Sequence, residues 1–347
     1  MSGQDAPDMV ARTVLNVLTG FLGSGKTTLL RRLLDSPELA RCAIIVNELG
    51  EIPLDHELLE RIDNETVVLR SGCICCGVRT DLAEALQTLT ARRDAGEVPF
   101  FDRVVLETTG LADPVPVINT VLCDPVLRHH YRVGTVATTV DAVLGLAQLQ
   151  QRPEARRQAA VADRLIITKA DRVDAAVVAE LQAALQDINA PAAVLVSRGD
   201  ATEEQVGLSR DLSQQGRSEV EQWFWGRGGT SGGLFGGQKR LSPAHGCIRT
   251  VSLQWEAPLN WTAFGIWLSM YLHRYGSHTL RFKAILDLEG VDQPTIVHGV
   301  QHLLHPPEHL PAWPDGPRNS RLVFIGDLPP AHVLEASLAA FLSRASR

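Results

Sequence analysis

The chain has 347 residues, of which 45% are hydrophobic, 21% are charged and 5% are aromatic. This length corresponds to about two domains, and the composition is that of a globular protein rather than a disordered one. Thirty-three lysines and arginines against 40 aspartates and glutamates leave a formal net charge of −7, without a long basic run. That balance argues against a dedicated nucleic-acid-binding protein.

The first twelve residues are polar and are predicted to be a flexible N-terminus. They contain no apolar leader segment, and no later stretch holds 18 consecutive apolar residues, so neither export nor a membrane span is expected. We therefore expect a cytoplasmic protein with no membrane partner, whose six cysteines are reduced. Cysteines in that setting favour metal or redox chemistry over a disulfide framework.

A phosphate-binding loop follows the first apolar run, residues 14–18. Residues 20–27 have the sequence GFLGSGKT, which matches G-x-x-x-x-G-K-[ST] and leads into a predicted amphipathic helix. Loop amides and the helix N-terminus can surround a phosphate, while Lys26 is expected to reach the β- and γ-phosphates and Thr27 to ligate Mg²⁺. The predicted nucleotide-binding residues of this loop are Gly20, Gly23, Ser24, Gly25, Lys26, Thr27 and Thr28.

An acidic loop with the sequence NELGEIPLD follows the second apolar run, residues 43–46. The carboxylates of Glu48 and Glu51 could hold Mg²⁺, hold a second metal ion or orient a nucleophilic water. A solvated acidic loop is the alternative interpretation.

Three cysteines, Cys73, Cys75 and Cys76, follow the third apolar run, residues 67–69. Glycines on either side allow the backbone to bend, so that all three sulfur atoms could face one ion. Three thiolates would supply most of a tetrahedral Zn²⁺ site and leave one position open, which suits transfer of the ion. The alternative is that these cysteines are ordinary buried apolar side chains.

Glu107 and Gly110 lie directly after the fourth apolar run, residues 104–106, which is preceded by a helix that Asp81 is predicted to cap. An acidic residue at this place can hold Mg²⁺ directly or through water, and a glycine lets its amide approach a γ-phosphate. Glu107 is therefore predicted to belong, with Lys26 and Thr27, to the catalytic residues.

A TKAD loop, residues 168–171, directly follows the apolar run 165–167. An aspartate can accept hydrogen bonds from the N1 and N2 groups of guanine, which adenine does not offer in that arrangement, and a lysine stem can lie along the ring. Lys169 and Asp171 are therefore predicted to bind guanine. Asn would be usual in place of Thr168, and a surface charge pair is the alternative interpretation.

Short apolar runs alternate with helical patterns throughout this part of the chain. Continuous runs of this length are typical of strands buried on both faces of a parallel sheet, and their alternation with helices predicts an α/β fold. We expect a P-loop NTPase domain with a mostly parallel sheet over residues 13–200. The predicted strands lie at 14–18, 43–46, 67–69, 104–106, 133–140, 165–167 and 193–196.

Residues 201–241 are predicted to be a linker, because seven of the twelve residues 226–237 are glycines. The aromatic segment 223–225 is expected to dock on a domain surface. Residues 242–347 are predicted to form a smaller α+β domain. Its strands are expected near 247–253, 280–288, 295–300 and 320–325, and its helices near 261–271 and 331–342. Four histidines of this domain are interpreted as structural or surface residues, with metal relay as the alternative: His298, His302, His305 and His309.

Together these motifs resemble those of the CobW-like metallochaperone GTPases, relatives of the nickel-inserting GTPases for urease and hydrogenase. The resemblance rests on GFLGSGKTTLL, NELGEIPLD, SGCICCGVRTDL, ETTGLADP and TKAD in this order, and on RFKAILDLEG and GVQHLLHPP in the second domain. It implies that the chain binds GTP with Mg²⁺, hydrolyses it slowly to GDP, and carries a transition metal, Zn²⁺ or Co²⁺, to a client protein that the sequence does not identify. A homodimer is possible.

The resemblance also implies a role for each motif. It places Lys26 and Thr27 at the phosphates and Mg²⁺, Glu48 and Glu51 in the first switch, Cys73, Cys75 and Cys76 at the transported metal, Glu107 near Mg²⁺, and Lys169 with Asp171 at guanine.

Two alternatives of other classes stay open at this point. An ATP-dependent small-molecule kinase would share the phosphate loop, but it would have no use for the cysteine triplet or for Asp171. A metal-buffering nucleotide-binding protein would use the cysteines without delivery, and would bind metal equally with GTP, with GDP or with neither.

Overall fold

The computed structural model describes residues 12–34, 41–47, 59–61, 67–71, 78–208, 248–314 and 317–345. Within these residues the chain forms two sheets that are covered by helices. None of the described helices is long and apolar enough to cross a membrane. From residue 209 onward the predicted linker, including its aromatic segment 223–225, lies outside the described residues.

The first sheet has eight strands among the described residues. They are β1 (Thr13–Gly20), β2 (Cys42–Asn47), β3 (Leu59–Arg61), β4 (Val67–Ser71), β5 (Arg103–Glu107), β6 (Tyr131–Asp141), β7 (Arg164–Thr168) and β8 (Ala193–Val196). Their order is β3-β4-β2-β5-β1-β6-β7-β8, and each neighbouring pair is parallel except β3 with β4. The predicted mostly parallel sheet is confirmed. Its central strands β1 and β5 are buried along most of their length and carry mainly apolar side chains, because both of their faces are covered.

Eight helices accompany this sheet in the described part of the chain. They are α1 (Lys26–Leu34), α2 (Val78–Asp94), α3 (Pro114–Cys123), α4 (Leu127–His130), α5 (Gly145–Gln151), α6 (Pro153–Val161), α7 (Ala175–Ile188) and α8 (Glu203–Val206). Because α2 begins at Val78, Asp81 lies inside the helix, and its predicted role as the cap is wrong. The three residues before Asp81 are not helix breakers, so the helix extends through them.

The second sheet is antiparallel. Its strands are β9 (Arg249–Trp255), β10 (Thr279–Leu288), β11 (Val291–Val300), β12 (Leu303–Leu304), β13 (Glu308–His309) and β14 (Ser320–Gly326), and its helices are α9 (Trp261–Tyr275) and α10 (Ala331–Ala345). The strand order is β12-β11-β10-β14-β9, with β13 also paired to β11. The predicted α+β unit is confirmed. The strands β12 and β13 were not predicted, because two residues are too few to show an alternating pattern.

The two sheets share a core and a buried ion cluster. Apolar residues of the second sheet, such as Ile285 and Ile325, pack in the same cluster as the core of the first sheet. Asp163 of the first domain pairs with Arg281 Nη2 and with Lys283 Nζ, both at 2.6 Å, and all three side chains are buried. The two domains are therefore held in one relative position by a shared apolar core and by buried ion pairs, which would lose their partners if the domains separated.

The histidines of the second domain fall into two groups. His298 and His305 are buried with ring centroids 4.2 Å apart, whereas His302 and His309 are exposed. Within the described residues, no group of three or more His, Cys, Asp or Glu side chains is placed to hold a metal ion. The positions of these histidines agree with structural and surface roles.

Candidate nucleotide site

The phosphate loop joins the end of β1 to α1 and has the backbone that its glycines allow. Gly20, Gly23 and Gly25 have φ angles of 145°, 71° and 91°. At Gly20 an added Cβ would lie 2.5 Å from the carbonyl oxygen of Thr139 on the neighbouring strand. Glycine is therefore required there by both conformation and space, and the loop packs directly against β6.

Lys26 is buried at the start of α1 and turns back toward its own loop. Its Nζ donates hydrogen bonds to the carbonyl oxygens of Gly20 at 2.9 Å and of Phe21 at 3.3 Å. Burial lowers the pKa of this lysine, and the charge of Glu107 opposes that shift. The ammonium group is thus held by neutral backbone oxygens, which phosphate oxygens can replace with a gain in charge pairing.

Thr27 and Glu107 meet at the edge of the sheet. The Thr27 hydroxyl donates to Glu107 Oε1 at 2.5 Å, and Glu107 is buried at the end of β5, whose register pairs it with Leu18 of β1. A hydroxyl and a carboxylate oxygen are the kind of hard ligands that Mg²⁺ takes alongside phosphate and water. The donor set therefore fits Mg²⁺, as the sequence predicted for these residues.

A set of buried hydroxyl groups ties the phosphate loop to two further strands. Ser24 Oγ lies 2.7 Å from Thr139 Oγ1 on β6, and Thr168 Oγ1 at the end of β7 donates to the Ser24 carbonyl at 2.7 Å. Thr168 stands where Asn is usual in a guanine-binding loop. Its hydroxyl contact with Ser24 gives a structural reason for a threonine at that position.

Lys169 links the TKAD loop to the phosphate loop and to Asp141 of β6. Its Nζ donates to the Gly23 carbonyl at 2.7 Å and to Asp141 Oδ2 at 2.6 Å, and its backbone is left-handed with φ 56°. Asp171 is exposed in the short 3-10 turn that follows, where its carboxylate is accessible to a ligand. Lys169 is thus fixed, while Asp171 is open to solvent.

Asp141 was not predicted as a site residue. It ends β6, is almost fully buried, and also accepts a hydrogen bond from the Val143 amide at 2.8 Å. The signal in the sequence was an acidic residue directly after the apolar run 133–140, the same position that Glu107 has after residues 104–106.

The loop after β5 lies directly against the phosphate loop. An added Cβ at Gly110 would lie 2.7 Å from the backbone nitrogen of Leu22. The Nε2 group of Gln158 fixes this loop by donating hydrogen bonds to the carbonyl oxygens of Gly110 at 3.2 Å and of Ala112 at 2.9 Å. The close approach agrees with the predicted need for a glycine beside the phosphates.

Five predicted site residues lie outside the described residues, namely Glu48, Glu51, Cys73, Cys75 and Cys76. The strands before them are described: β2 ends at Asn47 and β4 at Ser71, and these two residues are register partners. Because β2 also pairs with β5, where Val46 is the register partner of Glu107, both strands end at the edge of the sheet that carries the phosphate loop. Thr28 is exposed in the first turn of α1.

Comparisons with known proteins cover both domains. The family model described as the CobW/HypB/UreG nucleotide-binding domain matches residues 14–196, and the cobalamin synthesis protein CobW C-terminal domain matches residues 248–342. The chain is 31% identical over 331 residues to the zinc chaperone YjiA of Escherichia coli, which covers 94% of this chain and 97% of that protein. It is 35% identical over 225 residues to the zinc chaperone CobW of Pseudomonas aeruginosa, covering 55% and 58% of the two chains. The crystal structure of the Zn(II)-bound YjiA GTPase from E. coli matches with a TM-score of 0.69 and 27% identity over 95% of this chain and 99% of that one.

Proposed function

The chain belongs to the CobW/HypB/UreG family, and within that family we propose that it is a GTPase that binds a transition metal and delivers it to a client protein under control of the bound nucleotide. GTPase activity and a metallochaperone role follow from its similarity to zinc chaperones along nearly its whole length. For GTP binding and hydrolysis the described site indicates the residues, and for metal binding the sequence indicates them.

One observation carries the nucleotide part of this proposal: Lys26, Thr27 and Glu107 converge at one point of the sheet edge. Phosphoryl transfer needs positioning and charge neutralisation more than covalent chemistry from the protein. Lys26 would neutralise the β- and γ-phosphates, and Thr27 with Glu107 would hold Mg²⁺. The bound Mg²⁺ supplies further neutralisation of the phosphate oxygens.

Guanine selectivity is assigned to Asp171, with Lys169 as its support. Lys169 is fixed by Gly23 and Asp141, so the backbone that carries Asp171 has a defined position relative to the phosphate loop. An exposed carboxylate at that position can accept both donors of the guanine edge.

The transported metal is assigned to Cys73, Cys75 and Cys76, and Zn²⁺ is the ion that we expect first. Three thiolates suit Zn²⁺ and would also accept Co²⁺, and the similar proteins of E. coli and P. aeruginosa are named zinc chaperones. The position that the triplet leaves open on the ion would be taken by a ligand of the client protein during transfer.

Nucleotide control is assigned to the segments that follow β2 and β4. The strands β2 and β4 end at the edge where the γ-phosphate would lie, so Glu48, Glu51 and the cysteine triplet could be ordered together in the GTP state. Hydrolysis would remove that order and loosen the metal site. The protein would act as a single chain or as a homodimer.

A single-turnover experiment tests this proposal. Zinc-loaded protein is mixed with GTP and a chromophoric zinc acceptor, and phosphate release and zinc transfer are followed together. We expect both to proceed with GTP, and zinc transfer to be slow with a non-hydrolysable analogue. ATP supporting turnover equally well would favour a kinase-like protein, and zinc transfer at the same rate with both nucleotides would favour a buffer.

A further inference from the structure

A cleft between the two domains lies far from the nucleotide site. It has a volume of about 520 Å³ and is walled by the start of β6 and the segment before it on one side, and by the turn between β12 and β13 on the other. Tyr131 at the start of β6 lines the cleft, whereas Asp141 at its end belongs to the nucleotide site. The ten residue steps between them span about 33 Å at about 3.3 Å per residue, so the two sites are separate.

Basic side chains outnumber acidic ones in the lining of this cleft. Arg12, Arg128 and Arg132 contribute three guanidinium groups, against one carboxylate from Glu308. Arg12 and Arg128 form no ion pair with any other described residue. Arginine presents a planar set of donors that matches carboxylate and phosphate oxygens, so these two side chains have capacity for an anionic partner.

The inner wall of the cleft is His305, which is 7% exposed. Its Nε2 has no hydrogen-bond partner among the described residues. Burial, and next the charge of Arg281, lower the pKa of His305 to about 3, so the ring is neutral at pH 7. A neutral imidazole with one unsatisfied nitrogen can give or accept a hydrogen bond from a ligand.

The charge behind His305 is also positive. Arg281 and Lys283 share the single carboxylate of Asp163, and Nε and Nη1 of Arg281 have no hydrogen-bond partner among the described residues. A buried guanidinium with unsatisfied donors adds a positive potential that reaches into the adjacent cleft. Apolar side chains also line the cleft, among them Leu122, Val133 and Pro306.

We propose that this cleft binds a small anion that carries phosphate or carboxylate groups on an apolar body. Its volume is in the range of small-molecule sites, which combine apolar walls with polar groups that converge on the ligand. Arg12 and Arg128 pair with the charged group, His305 hydrogen-bonds it, and the apolar walls cover the body of the ligand. Because the site joins both domains, its ligand stabilises their present arrangement.

Calorimetric titration of the full chain, saturated with GDP and Mg²⁺ so that the phosphate loop is filled, tests this proposal. The probes are phenyl phosphate and phthalate, with benzamide as the uncharged control. We expect one molecule of at least one anionic probe to bind per chain, and the tighter of the two identifies the preferred group. Arg128→Gln and Arg12→Gln should each weaken binding about tenfold, because each removes a charged hydrogen-bond donor. Arg344→Gln, an exposed arginine at the end of α10, should leave binding unchanged.

Four results would overturn the proposal. These are failure of both anionic probes to bind, equal affinity for benzamide, equal weakening by Arg344→Gln, and binding of an aspartate-rich peptide when neither small probe binds. The last would make the cleft a docking surface for an acidic protein segment. Hydrolysis of GTP is not part of the readout, so failure here leaves the proposed GTPase function untouched.

Discussion

The nucleotide edge and the domain interface each bury a lysine, and they hold it in opposite ways. Lys26 is bonded to neutral carbonyl oxygens of its own loop, whereas Lys283 is paired with the carboxylate of Asp163 at 2.6 Å. Phosphate oxygens can replace the carbonyl oxygens around Lys26. The partner of Lys283 is a charged carboxylate of the protein itself, so this contact is permanent. A buried cation with exchangeable partners indicates a binding role, and one with a fixed counter-ion indicates a structural role.

Both lysines have a lowered pKa, and the carboxylate of the interface shows how firmly its own charge is held. Burial lowers the pKa of Lys26, and the negative charge of Glu107 offsets only part of that shift. Burial also lowers the pKa of Lys283, to about 8, although the charge of Asp163 acts to raise it. Burial alone would raise the pKa of Asp163, but Arg281 and Lys283 reverse that shift and hold it well below its usual range. The interface carboxylate is therefore ionised throughout the neutral range.

Breaking the interface cluster should have the largest effect. Asp163→Asn leaves two buried cations without their counter-charge, and we expect a loss of about 3–5 kcal/mol in the free energy of unfolding, measured with urea. Asp102→Asn removes a partly exposed partner of Arg41 and Arg103 and should cost less than about 1 kcal/mol. Equal costs for the two variants would contradict a structural role for the cluster.

Removing the lysine of the nucleotide edge should act on turnover and not on folding. Lys26→Ala should lower the rate of GTP hydrolysis about 10²- to 10³-fold, the usual loss for one preorganised group that stabilises transition-state charge. Arg31→Ala removes an exposed cation from the same helix and should change neither turnover nor unfolding. Wild-type hydrolysis by Lys26→Ala would remove the phosphate-loop assignment.

Asp171→Asn should change which base the nucleotide site prefers. Asn offers a donor where Asp accepts, so GTP affinity should fall about 10- to 150-fold, and preference should move toward xanthine nucleotides. Asp174→Asn, an exposed neighbour before α7, serves as the matched control. Competition binding measures both variants, and unchanged GTP affinity in Asp171→Asn would refute the assignment.

The buried histidines give the interface an acid sensitivity. Burial lowers the pKa of His305 to about 3 from an ordinary value of 6.5, so below pH 6.5 the unfolded chain binds a proton that the folded chain does not. Stability is therefore lost as the pH falls from 6.5 toward 3, by up to about 1.4 kcal/mol per pH unit for each such histidine.

His305→Asn should consequently reduce the loss of unfolding free energy between pH 7 and pH 5 by about 2 kcal/mol. The exposed His302→Asn should leave the pH dependence as it is. The same slope in wild type and His305→Asn would show that His305 is not held neutral in the fold.

Much of the fold and the phosphate site could be predicted, because the signals are local. Buried parallel strands give continuous apolar runs, and the loop from Gly20 to Thr27 is a contiguous motif whose backbone requires glycine. Glu107 was predicted for the same reason, as a charge at the end of such a run.

The contacts that were missed join residues far apart in the sequence. Asp163 and Arg281 are separated by 118 positions, and neither has a local pattern that indicates its partner. For Asp141 the sequence shows an acidic residue after an apolar run, but not the partner 28 positions away, the ammonium group of Lys169. Such pairings are set by the order of strands in the sheets and the packing of the two domains.

Nucleotide control of the metal site is tested most directly by the affinity for Zn²⁺ in the two nucleotide states, measured by titration against a chromophoric chelator. With a GTP analogue and Mg²⁺ the protein should bind Zn²⁺ about 5- to 150-fold more tightly than with GDP, and Zn²⁺ should tighten the GTP analogue by the same factor. Cys75→Ala should abolish the tight site. Equal affinity in both states would contradict nucleotide control, and tight binding retained by Cys75→Ala would place the metal elsewhere.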